Sequence, residues 1–270
     1  MSESEADRSY WLLSQTSGVE ETRNAELQRH LPISAAFTWL RAGWGDLTSQ
    51  PGSSLVYGFA VFLVTAILAW TLLVSGWDYI LFPAIAGYMI VAPVLAIGLY
   101  GKSRALAEGK RLSLSGMVLI RPVAGAQVFF TGLLLCLLML LWMRAAVLLY
   151  ALFFGVRPFP GLENNIEILL TTPSGWAMLA VGTLVGGLFA AFGFAISVFS
   201  IPMLLDQRTD ALTAMATSMA LVWNNIFPMV TWGAIVLVLF VLSVATGLVG
   251  LIVIFPLLGH STWHAYRAMS

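Results

Sequence analysis

Four long stretches of this chain are almost free of charge, and they limit its fold more than any other feature. Residues 55–101 hold one charged side chain, Asp78, and 122–156 hold one, Arg144. Residues 168–205 and 211–266 hold no Lys, Arg, Asp or Glu at all. An ionised side chain near the centre of a bilayer costs about 2.5–3.5 kcal/mol on insertion scales, so runs of this kind are what lipid selects. The whole chain is 10% charged and 59% hydrophobic, where a soluble domain carries roughly 25% charged residues. The expectation is an all-α membrane protein. Net charge is zero, which gives no footing for nucleic acid.

A helix needs about 20 residues to cross the hydrocarbon. The first block is broken by the polar turn Ser75-Gly76-Trp77-Asp78, and the last block is long enough for two helices with a turn at Thr246-Gly247. The reading is a six-span bundle over 32–268, with spans near 55–75, 79–100, 124–146, 176–204, 229–246 and 248–266. Pro173-Ser174-Gly175 opens the fourth span. Residues 1–31 are polar and acidic, unlike the basic start and apolar core of a cleavable signal. They are expected to be a disordered tail, with the first span acting as an uncleaved anchor.

Basic residues orient the bundle, because cytoplasmic loops collect Lys and Arg. The segment 102–121 carries Lys102, Arg104, Lys110, Arg111 and Arg121 against Glu108 alone. With six spans this loop shares a side with both termini, and that side holds eleven of the thirteen Lys and Arg residues. Both termini are therefore expected in the cytoplasm. Trp70, Trp77, Trp176, Trp232 and Trp263 fall near predicted span ends, where an amphipathic ring suits the headgroup level.

Two further segments have the period of amphipathic helices rather than spans. In 33–47, Ile33, Phe37, Leu40, Trp44 and Leu47 form an apolar stripe; in 211–226, Leu212, Met215, Met219, Val222 and Ile226 form another. Both are expected to lie in the cytoplasmic interface, apolar face towards lipid. They end alike, in Trp44-Gly45-Asp46-Leu47 and Trp223-Asn224-Asn225-Ile226, each followed by proline and an apolar run. The expectation is a weak internal repeat of an interfacial helix followed by a hairpin of spans, against the alternative that any polar-to-apolar transition beside a membrane has this form. Residues 106–118 would be the degenerate interfacial piece of a third copy.

The string Trp39-Leu40-Arg41-Ala42-Gly43-Trp44-Gly45-Asp46-Leu47, with Pro51 and Gly58 entering a span, resembles the start of an uncharacterised family of predicted bacterial integral membrane proteins. Pro202-Met203-Leu204-Leu205-Asp206, followed by Ala211-Leu212 and Ser218, resembles that family's second pattern. The resemblance runs over roughly 34–266. It implies a bacterial cytoplasmic (inner) membrane location and no established activity. Some family members carry a cytochrome c oxidase label, but haem-copper chemistry needs several imidazoles at depth. This chain has only His30, His260 and His264.

His260 and His264 are one turn apart on the last span, weak candidates for a cofactor or metal, and expected to be interfacial histidines beside Trp263. Arg144 is the possible functional intramembrane charge, against the alternative that it snorkels to the far interface. Trp44, Asp46, Trp223, Asn224 and Asn225 are the interfacial motif. Gly182 and Gly186 are spaced for close helix packing. Cys136 is expected to be a small buried hydrophobe. Pro93 and Pro256 fall inside spans, as helix breaks at a transport site can.

No catalytic constellation, metal site or cofactor is called for. The partners expected are the bilayer and other membrane proteins. The preferred function is a non-catalytic membrane protein that organises or associates with other membrane components. The alternatives are a permease or channel for a small neutral or amphiphilic solute, and an accessory protein of a respiratory oxidase.

Overall fold

The computed structural model describes residues 27–155 and 161–270. The acidic tail therefore lies for its greater part outside the described residues, although Leu27 and Leu31 pack against the core. The described elements are helical, with no strand among them. In order they are α1 (Ala35–Ser49), α2 (Pro51–Val74), a short 3-10 turn (Asp78–Ile80), α3 (Leu81–Leu95), α4 (Ile97–Ala107), α5 (Leu114–Val118) and α6 (Gly125–Phe154). Then follow α7 (Leu162–Thr171), α8 (Pro173–Ser197), α9 (Ser200–Asp206), α10 (Ala211–Asn224), α11 (Ile226–Ala245) and α12 (Leu251–Met269).

Local chemistry sets the boundaries. Pro51 and Pro173 stand at the first turns of α2 and α8, where a missing N–H is not needed for the helix ladder. Thr172 accepts from the Gly175 N–H to cap α8, and Asp210 accepts from the Thr213 N–H to cap α10. Both hairpin turns read from the sequence are present. Gly76 and Gly247 take positive φ at 70° and 64°, a conformation that costs glycine little.

Three units of like order emerge. Each has a short helix, a long apolar helix, and a second helix whose final part is buried: α1, α2 and α3–α4; α5, α6 and α8–α9; α10, α11 and α12. The second helices carry Pro93, Pro202 and Pro256 in turn. The first two of them are interrupted, at Ala96 and around Val198–Phe199. Their terminal pieces α4, α9 and α12 touch one another pairwise and form the centre of the molecule. The first unit is locked to the third, because α12 packs most extensively against α1 and then against α2 and α4.

Lipid tails are as apolar as leucine, so burial of apolar surface does not drive spans together; close packing and hydrogen bonds do. Glycines make the close approaches. A Cβ on Gly43 would collide with Ser261, one on Gly58 with the Ile252 carbonyl and Pro256, and one on Gly259 with Leu99. Trp39 and Trp232 pack edge to face at 6.1 Å between α1 and α11.

Several expectations are corrected here. Among the described residues five helical stretches are by themselves long and apolar enough to cross a membrane, so the count of six is approximate: Pro51–Val74, Leu81–Ala107, Gly125–Phe154, Pro173–Asp206 and Ile226–Ala245. The sixth, expected at 248–266, is a helix, α12. Its second half carries His260, Ser261, Thr262, His264 and Arg267 and is mostly buried against other helices, with Arg267 exposed near its end. Trp232 and Trp263 are core residues, not headgroup anchors. Cys136 is exposed on the outward face of α6. The helix α7 was not anticipated.

Candidate functional site

Four helices converge on a polar network that the sequence did not announce. Lys102, on α4, is 0% exposed. Its ammonium donates to the Gln50 carbonyl, to Ser53 Oγ at 2.9 Å and to Ser54 Oγ at 2.7 Å, at the start of α2. Ser54 Oγ lies 2.8 Å from His260 Nε2, and Ser103 Oγ lies 2.7 Å from His260 Nδ1. The Asp46 carboxylate, which receives His264 Nε2 at 2.8 Å, is also stabilised by the Ser103 hydroxyl.

The donors fix the direction of this chain. Lys102 can only donate, so the Ser54 proton is free to point to His260 Nε2. His260 Nδ1–H then donates to Ser103, whose O–H is left to face Asp46. The bonds run head to tail from the Lys102 cation to Ser103 and, with His264–Asp46 beside them, link α1, α2, α4 and α12. Burial alone would raise the Asp46 carboxyl. The hydrogen bonds from His264 and Ser103 and the two nearby imidazoles outweigh it and hold the group below its usual range.

A second cluster ties the ends of the three central helices. Asp206, on α9, faces Arg104 of α4 at 4.0 Å and Arg267 of α12 at 3.5 Å, and accepts from Tyr266 Oη at 3.3 Å. Arg104 also donates to the Leu205 carbonyl at 2.8 Å. At the same end of the molecule Arg29 Nε donates to the Met269 carbonyl at 2.9 Å.

The interfacial motif divides between an outward ring and an inward polar group at the ends of both α1 and α10. Trp44 and Trp223 are exposed, the latter 77%. Asp46 holds α12 through His264. Asn225, its counterpart, accepts from the Arg29 N–H and donates to the Leu27 carbonyl, both at 2.9 Å. Asn224 donates back to the Ala220 carbonyl within α10. The apolar stripes of α1 and α10 also split alike. Ile33 (which leads into α1), Phe37, Trp44, Leu212, Met219 and Ile226 face outwards, while Ala36, Gly43, Leu47, Ala214 and Ser218 face protein. Arg144 is exposed on α6, about 28 Å along the axis from Gly125 at 1.5 Å per residue.

Both nitrogens of His260 are taken by serines. Among the described residues no cluster of three or more His, Cys, Asp or Glu side chains could hold a metal ion. The residues present therefore give no ligand set for haem or copper.

Two cavities lie away from the network. One, of about 110 Å³, sits beside Pro93 between α3, α8, α11 and α12. Its lining is mostly apolar, with Tyr100, Ser197, Ser243 and Thr262 and with Tyr88 and Trp232, whose Oη and Nε1 have no hydrogen-bond partner. The other, of about 680 Å³, lies between the start of α3, the end of α6, α7 and the first half of α8. Neither is lined by Lys102, Ser54, Ser103, Asp46, His260 or His264. Sequence reading missed Lys102 by counting it with a surface loop. The only signal available was its place immediately after an uncharged run, before the helix ends.

No curated protein and no solved structure matches the chain. The cytochrome c oxidase label gains no support. The family resemblance does: residues 81–206, from α3 through α9, match the model of the family described as predicted integral membrane protein (DUF2189).

Proposed function

We propose that this protein is a non-catalytic membrane component that associates with, or organises, other components embedded in the same bilayer. One observation carries the reading: Lys102, Ser54, His260 and Ser103 commit their hydrogen-bonding groups to one another between packed helices, and they line neither of the two cavities described. Their geometry is that of a clamp between helices. Outside the clamp the molecule offers lipid-depth apolar faces; in the most apolar stretch of α2 only 6% of residues are buried. The experiment is mild-detergent purification from native membranes. A constant set of co-purifying membrane proteins, reduced when Ile67 and Leu68 on the outward face of α2 are changed to alanine, is expected. A protein that purifies alone and turns over a substrate overturns the reading. We place it in the bacterial cytoplasmic membrane with both ends in the cytoplasm. The Arg29–Met269 bond and the concentration of basic residues at that end support this. Accessibility tags at the two ends test it.

A second reading, permeation of a small neutral solute, is favoured by the cavity beside Pro93, with its unpartnered Tyr88 and Trp232 donors. Liposomes containing the protein would then re-swell faster in glycerol than empty ones, and Trp232→Phe would change that rate. Equal rates for loaded and empty liposomes exclude it.

A further inference from the structure

We propose that the larger cavity, between α3, α6, α7 and α8, is a binding site for a neutral long-chain amphiphile bearing one hydroxyl at its end. The cavity holds about 680 Å³, within the range of pockets that enclose small organic ligands. Its described lining is mostly apolar and has no charged side chain. Among these described lining residues a phosphate or carboxylate headgroup would find no cation.

One polar group is different. Asn165, on α7, is only 4% exposed and lines the cavity, and its Oδ1 has no hydrogen-bond partner. A buried acceptor without a donor is destabilising, and an occupant carrying an O–H would satisfy it. The Trp142 indole does not compete for the Asn165 oxygen, because its Nε1–H is already donated to the Pro83 carbonyl at 2.9 Å. Gly182 and Gly187 leave the backbone of α8 bare along the cavity, and a Cβ at either would meet nothing within 4 Å. Tyr79 and Phe82 at the rim are exposed, which leaves a lateral route from the bilayer. The ligand this describes is a greasy body held by shape and oriented by a single donated hydrogen bond.

The test uses the full chain in nanodiscs with a diazirine-bearing hexadecanol as photoprobe and mass-spectrometric mapping of the label. Label is expected on the peptides of α7 and α8. Unlabelled hexadecanol should compete about tenfold better than hexadecyl methyl ether, which cannot donate to Asn165. Asn165→Leu should erase that preference, and Gly182→Phe should fill the cavity and remove the label. Equal competition by alcohol and ether, or label that survives Gly182→Phe, overturns the proposal and leaves a groove filled by ordinary lipid chains. Should Asn165→Leu fail to fold, the competition ratio on the unaltered chain and the Gly182→Phe variant decide the matter between them.

Discussion

Two crossings of this molecule have the same mean hydropathy, 2.2, and opposite fates. In the most apolar stretch of α2, 6% of residues are buried, whereas in that of α8–α9 61% are. Hydropathy reports that water is excluded; it does not distinguish lipid from protein as the replacement. What separates the two is small and polar chemistry near the ends of the central helices. The Phe199 N–H and the Ala195 carbonyl of α8–α9 bond Ser218 of α10, and Asp206 faces arginines of α4 and α12. The outward face of α2 is Phe59, Leu63, Val64, Ile67 and Leu68, with nothing to bond. The same contrast divides the molecule lengthwise. One end is glycine-packed and laced with hydrogen bonds, and the other holds open glycines and a large cavity.

Matched glycine substitutions give the largest expected effect and the most direct way to break this contrast. Gly43→Leu drives a side chain into the backbone of Ser261. It should cost about 3 kcal/mol or prevent folding, read as lost thermal stability and monodispersity in detergent. Gly182→Leu, at the open end, should stay within about 0.5 kcal/mol. Equal losses from the two would abolish the distinction between the ends. Next, Lys102→Met keeps the volume but removes the donors to Gln50, Ser53 and Ser54. A loss of about 2–3 kcal/mol is expected from detergent unfolding curves; an unchanged midpoint would mean the network is not holding the helices.

The Asp46–His264 contact sharpens the comparison on a smaller scale, about 1 kcal/mol, because both side chains are partly exposed to solvent. The folded Asp46 carboxyl is depressed below its ordinary value of 3.8. Its contribution is therefore complete above that value and fades as pH falls through the lower, folded one. The unfolding midpoint should drop in this acid window, and Asp46→Asn should flatten that part of the profile. Arg144→Gln is expected to shift stability by less than about 0.5 kcal/mol, since the side chain sits exposed on α6.

The helical class, both hairpin turns and the helices at 33–47 and 211–226 were readable because each rests on a local rule: absence of charge, a 3.6-residue period, or a glycine or proline at a boundary. The central network was not. Lys102, Ser54 and His260 stand far apart in sequence, and nothing local announces that three such residues will meet. His260 and His264 were read as a pair on one face, which they are. Yet their partners come from three other helices, and no periodicity encodes a partner. Trp232 was misplaced for a related reason, since a tryptophan near a helix end looks the same whether lipid or Trp39 receives it.

The seating of α1 against α12 has a temporal implication. Helix α1 leaves the ribosome well before α12, the helix it packs against most extensively, so the clamp is assembled only once α12 has been made. Until then Lys102 and Asp46 wait in a half-built bundle. A nascent chain released short of Ser261 would have its hydrophobic segments inserted but no closing latch, a form that membrane quality-control proteases would be expected to meet first.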